Sequence, residues 1–236
     1  MAKQRMSMPP PPPAKSAPDL SALLPETAEN GHASRRLWLI RHGPVPNPEG
    51  RYYPHEDVEP DLSDHDRLRF LAGILPPGAP IVTSGIRRAV LTAEAITAQG
   101  YTAIGIRHHE GLAEQNFGAW RGRRYADTLP ASMGIEELAG LCPPGGESFA
   151  QLCRRVTRTV RELLGDCRNG HLVAVAHAGT IRAALAAALD LRPADALRFA
   201  VDPLSLSVIE YFPGENGGAW RIVHVNHQLP FRHKSP

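Results

Sequence analysis

The chain has 236 residues, of which 42% are hydrophobic and 21% charged, which suits one domain of roughly 200 residues with its own core plus a tail. A formal charge of +2 offers no cationic surplus for a nucleic-acid surface, and no nucleic-acid partner is expected. No apolar run approaches the roughly 18 residues that cross a bilayer, and Arg182 interrupts the long Ala/Leu segment at 181–189, so no membrane partner is expected either.

Residues 1–34 contain an unbroken proline run at 9–13 amid Ser, Ala and Lys, a composition that favours polyproline II and cannot bury a core. A disordered Pro-rich extension is expected there, without the apolar stretch of a secretory signal. From 35 onward, apolar runs alternate with helical spacing. Residues 36–40 predict a strand, and 62–75 a helix with Leu68, Leu71, Ala72 and Leu75 on one face. Residues 81–83 predict a second strand and 86–99 a helix that stops at Gly100; 102–106 predict a third strand. The stretch 108–144 is punctuated by glycine and proline and reads as a loop, long enough to serve as a lid.

A helix is predicted over 147–164, a strand over 171–176, a helix over 180–189, and a terminal hairpin or paired edge strands at 206–212 and 220–225. The alternation predicts an α/β fold, a three-layer α/β/α sandwich with a mainly parallel central sheet. Cys142, Cys153 and Cys167 lack C-x-x-C spacing and leave one thiol over in any pairing scheme. Reduced thiols and a cytoplasmic location are expected.

Two predicted strands end in histidine. Arg41-His42-Gly43 follows the apolar run 37–40, and His177-Ala178-Gly179 follows 172–176. Ligands of open α/β sheets bind at the carboxyl ends of strands, so both imidazoles fall on one functional edge.

Four segments extend this pattern in order: Arg41-His42-Gly43; Ser84-Gly85-Ile86-Arg87-Arg88-Ala89; Leu112-Ala113-Glu114 with Phe117-Gly118-Ala119-Trp120; and His177 to Arg182. Together they resemble the histidine phosphatase superfamily, with its R-H-G, S-P-L-x-R-A, L-x-E-x-x-x-G-x-W and H-G-G-x-I-R motifs, over about residues 36–226. The resemblance makes 35–236 a catalytic domain. It implies that His42 attacks phosphorus and becomes phosphohistidine, that Arg41, Arg88 and His177 surround the phosphoryl group, and that Glu114 protonates the leaving oxygen. Arg87, next to Arg88 on a helix, is expected at the surface or in a salt bridge, and Ser84 fits a phosphate contact and a helix N-cap equally. Glu110 is the alternative acid.

The chain departs from the family pattern in several places. Pro44-Val45 replace the usual Glu-Thr, Pro48 stands where an asparagine is usual with Asn47 one residue short, Gly85 replaces proline, and Arg121 replaces an acidic residue. The run from Pro48 to Tyr53, followed by Asp57-Val58 and Leu62, resembles the α-ribazole phosphatase branch and implies α-ribazole phosphate as a substrate. There Arg51, Tyr52 and Tyr53 either contact the leaving group or pack on their own domain. His108-His109-Glu110 lack metal-ligand spacing, and no P-loop or dinucleotide fingerprint is present, so neither metal nor cofactor is expected. The leading expectation is a metal-independent phosphomonoesterase for a small phosphorylated substrate. The alternatives are a phosphoglycerate-mutase-like phosphotransferase and a noncatalytic phosphate or phosphoprotein binder, while oligomeric state is unread.

Overall fold

The computed structural model describes residues 34–47, 49–53, 58–130, 132–167, 170–214 and 217–228. Most of the Pro-rich extension, Pro48 and Asp57 lie outside them. Six strands form one sheet: β1 (Arg35–Arg41), β2 (Ile81–Thr83), β3 (Ile106–His108), β4 (His171–Ala176), β5 (Leu206–Phe212) and β6 (Ala219–His227). Their order is β3-β2-β4-β1-β5-β6, with the first three pairings parallel and the last two antiparallel. The sheet is thus mainly parallel, and its antiparallel edge is the hairpin expected from the C-terminal pattern.

Period-2 alternation sorts the strand residues between two cores. Leu37, Leu39, Leu172, Ala174 and Ala176 face α4 (Phe149–Gly165) and α5 (Ala178–Leu189), while Ile40, Val173 and Val175 face α1 (His65–Ile74) and α2 (Arg87–Ala98). These are the three layers. Burying one such aliphatic side chain stabilises by about 1.5–3 kcal/mol, so β4, buried from Leu172 onward, is a central support of the histidine at its end.

Local chemistry sets where elements begin. Asp64 caps α1 by accepting from the Arg67 amide, so the helix begins three residues later than the apolar spacing alone suggests. Ser148 and Gln151 form a reciprocal capping box that starts α4, with its apolar stripe Leu152, Val156, Val160 and Leu163 buried. The third strand lies at 106–108, not 102–106, because Gly105 takes a φ of +79° that breaks extended backbone before the residues that pair with β2. The segment 109–130 is carried by short 3₁₀ turns, α3 (Ile135–Gly140) comes after it, and α6 (Pro193–Ala196) was not anticipated. Among the described residues, no helix is long and apolar enough to cross a membrane.

Candidate active site

β1 and β4 are parallel neighbours in register Arg41↔Ala176, so each strand releases its histidine at the same edge. His42 and His177 meet with ring centroids 5.2 Å apart and planes inclined by 59°. Both are buried, and His177 is fully so. Gly43 lets the chain turn away under the loop at 60–62: a Cβ there would meet Leu62 Cδ2 at 2.7 Å and the Asp61 carbonyl oxygen at 3.1 Å.

The hydrogen bonds of His42 settle its tautomer. A carbonyl only accepts, so Nδ1, 2.7 Å from the Gly43 oxygen, carries the proton; Arg88 Nε only donates, so Nε2, 3.3 Å away, presents a lone pair. Burial, then the charges of Arg88 and Arg41, lower the His42 pKa to about 3, despite the Gly43 carbonyl. The ring is neutral through the physiological range. His177 is likewise held well below the usual histidine range by burial and by the facing His42, Arg88 and Arg41. Ser84 Oγ lies 2.8 Å from His177 Nε2 and also accepts from the Ile86 amide at 3.3 Å, so this hydroxyl braces both the histidine and the turn into α2.

The two adjacent arginines at the start of α2 diverge. Arg88 is 4% exposed, reaches His42 and lies under the Tyr53 ring, 5.1 Å from its centroid; Arg87 turns outward to an ion pair with Glu59. Arg41 donates through Nη1 to the Val201 carbonyl at 2.6 Å, while its buried Nε has no hydrogen-bond partner. His177 Nδ1 is the second such atom, and buried polar groups seldom stay unpaired without reason.

A cavity of about 930 Å³ opens at this edge, lined by Arg41, His42, Arg88 and Glu114 among others. Glu114 comes from the irregular segment after β3. Its Oε1 accepts from the Gln115 amide at 3.0 Å and its Oε2 from the Gly179 amide at 3.4 Å. Gly179 must lack a side chain for this, since a Cβ would lie 2.4 Å from Oε1. The structure thus brings Arg41, His42, Arg88 and Glu114 together around one cavity, while His177, fully buried against His42, is not part of the lining. Glu110 also lines it, so geometry leaves that second carboxylate within the same space.

Asn47 is not brought there. Both ends of its amide are taken by the backbone of Arg51, at 2.7 and 2.9 Å, closing its own loop. Tyr52 is buried against Phe117, Trp120 and Tyr125, whereas Tyr53 and Tyr125 line the cavity, which divides the Tyr-rich loop between packing and access. Arg51 pairs with Glu49 and lies outside the lining. His108 contacts Thr83 Oγ1, His109 accepts from the Gly111 amide, and no metal-ligating cluster occurs among the described residues.

Sequence reasoning singled out neither Arg155 nor Arg182 as site residues, and both line the cavity. Arg182 was visible as the last residue of the fourth motif, and α5 carries it one turn beyond Ala178 onto the cavity side. Burial lowers its pKa while Glu114 opposes that shift, which places a guanidinium and a carboxylate in each other's field.

A doubly wound sheet with two histidines at one strand edge and arginines around them is the arrangement of the histidine phosphatase superfamily, and the chain belongs to it: the model of branch 1 of that superfamily matches residues 37–228. It is 29% identical over 198 residues to a bifunctional protein of Mycobacterium tuberculosis, covering 80% of this chain and 53% of that one, so the chain spans about half the length of that relative. It is 28% identical over 172 residues to a 2,3-bisphosphoglycerate-dependent phosphoglycerate mutase of Cytophaga hutchinsonii, covering 67% of this chain and 79% of the mutase. Among solved structures, a mycobacterial glucosyl-3-phosphoglycerate phosphatase superposes with a TM-score of 0.69 at 27% identity, covering 82% of this chain and 99% of that one. A putative α-ribazole-5′-phosphate phosphatase of Escherichia coli shares the fold at 22% identity and a TM-score of 0.67, covering 82% and 96%.

Proposed function

We propose that the chain is a phosphomonoesterase that passes a phosphoryl group to His42 and then to water. The observation that carries this reading is the neutral His42 ring, whose Nε2 lone pair faces the cavity cations while its Nδ1 proton is held by Gly43. In the first step Nε2 attacks phosphorus and the ester P–O bond breaks; the leaving oxygen takes the proton of the Glu114 carboxyl. In the second step Glu114, now a carboxylate, takes a proton from water as the water oxygen attacks phosphorus and the P–N bond breaks. Neutral His42, protonated Glu114 and inorganic phosphate result.

Arg41 and Arg88 supply the positive charge that the equatorial oxygens require, and the unpartnered Arg41 Nε is a donor awaiting such an oxygen. His177 Nδ1, buried against His42, is a further atom without a hydrogen-bond partner, and a phosphate dianion on the His42 side favours its protonated, donating form. With these cations in place, the chemistry needs no metal. Tyr53 and Tyr125 form part of the wall beyond the phosphate, where the remainder of a small phosphorylated metabolite would lie. α-Ribazole phosphate and glucosyl-3-phosphoglycerate are the first substrates to assay, with released phosphate as the readout.

Likeness to a phosphoglycerate mutase supports a second reading, phosphotransfer between two positions of one substrate. Product analysis with 3-phosphoglycerate separates isomerisation from phosphate release. The acid role is tested by leaving group. Glu114→Gln is expected to lower kcat/KM on an alkyl phosphate by about 10²–10⁴-fold and to affect p-nitrophenyl phosphate far less, because p-nitrophenolate departs without a proton. Equal loss on both substrates would remove Glu114 from the role and turn attention to Glu110.

A further inference from the structure

Arg155 lies on α4, and no step above uses it. Its guanidinium nevertheless grips the segment that carries Glu114. Nη1 donates to the carbonyls of Gly111 and Ala113 at 2.9 and 3.1 Å, and Nη2 reaches the Glu114 carbonyl at 3.5 Å. Nε and Nη2 also donate to the two carboxylate oxygens of Glu147, at 3.3 and 2.5 Å.

Glu147 closes the clamp from the other side. Its Oε1 accepts from the Asn116 amide at 3.1 Å, its own amide donates to the Asn116 carbonyl at 2.8 Å, and its carbonyl accepts from Gln115 Nε2 at 2.9 Å. Residues 113–116 belong to neither strand nor helix, so their path is set by such contacts. The pair is half-buried, with side-chain exposures of 29% and 19%, where a hydrogen-bonded ion pair holds its geometry better than at an open surface.

We propose that Arg155 and Glu147 are positioning residues that fix the backbone at 111–116 and thereby aim the Glu114 carboxyl at the oxygen leaving His42-bound phosphorus. The inference rests on Glu114 being the acid. Arg155 contributes a planar fork that meets several carbonyls and a carboxylate at once, which an ammonium cannot reproduce. Displacing a reacting group by about 1 Å costs on the order of 100-fold in rate. The loss should therefore appear where the proton matters.

The test compares kcat/KM on an alkyl phosphate and on p-nitrophenyl phosphate for Glu114→Gln, Arg155→Lys, Glu147→Gln and the double variant Glu114→Gln/Arg155→Lys. Arg155→Lys keeps the positive charge near His177 and removes the fork. It is expected to lose roughly 100-fold on the alkyl ester and less than about fivefold on p-nitrophenyl phosphate. Added to Glu114→Gln it should cost little more on the alkyl ester, since a carboxyl already removed cannot be misaimed.

Equal losses on both substrates, or multiplied losses in the double variant, would overturn the positioning role while leaving Glu114 as the acid. Should Glu114→Gln itself show no leaving-group dependence, the acid assignment fails and this inference falls with it. If Arg155→Lys does not fold, Glu147→Gln, which keeps the shape of the pair without its charge, gives the same comparison.

Discussion

His42 combines features that would be costly apart: a ring excluded from water, two arginines nearby and a proton fixed on the nitrogen away from the cavity. Burial of a neutral imidazole is tolerable, whereas burial of imidazolium beside Arg88 is not, and this asymmetry leads to a pH prediction. His42 titrates near 3 in the native chain and His177 well below 6.5, while both return to about 6.5 on unfolding. Above 6.5 both states are neutral and nothing is gained. As pH falls from 6.5 towards 3, the unfolded chain binds protons that the native chain refuses, so stability falls by up to about 1.4 kcal/mol per pH unit for each histidine. Urea unfolding between pH 7 and 4.5 should show this slope, and a His42→Gln variant should show a shallower one; identical slopes would mean that His42 is not held neutral.

Residues within motifs were legible because their spacing in sequence is the spacing of a strand end or a helix start. Arg155 was not. Its carbonyl partners lie 41 to 44 residues away in a segment without periodicity, and a charged residue on an amphipathic helix reads as a solvated one. Asn47 failed for a related reason, since its amide finds partners within its own loop before it can reach the cavity.

At the scale of elements, α2 translates one residue of sequence into a change of face. Successive helical residues point about 100° apart, so Arg88 enters the cavity and Arg87 meets Glu59 at the surface. Arg88→Ala is expected to weaken inorganic phosphate or vanadate binding and catalysis together, by about 1.5–3 kcal/mol for a lost charge-assisted contact, while Arg87→Ala changes either by less than about 0.5 kcal/mol. Titration calorimetry with phosphate and steady-state kinetics on the two variants measure this, and equal defects would contradict the placement. Element types were legible in β1, β2, β4 and β5 because those strands are largely buried and apolar, whereas β3 and β6 lie at the exposed edges of the sheet. Element ends were less legible: Gly105 moved the third strand and Asp64 shortened the first helix, both through single-residue backbone chemistry that periodicity does not register.

At the scale of the whole molecule, parallel pairing of β1 with β4 is what joins two histidines 135 residues apart in sequence, and the same pairing buries the strands that hold them. Strand order itself was not written in the apolar pattern; the pairings of the folded sheet supply it. The mycobacterial bifunctional protein is about twice the length of the matched region, and the chemistry shared with it is that of this domain's fold. The proposed chemistry turns on one covalent bond, between His42 and phosphorus. Wild-type chain mixed with p-nitrophenyl phosphate and quenched in alkali during turnover, then digested and analysed by mass spectrometry, should carry acid-labile phosphate on the peptide containing His42, and His42→Ala should carry none and hydrolyse nothing while keeping its native circular dichroism. Phosphate on another residue, or near-normal hydrolysis by His42→Ala, would contradict the account.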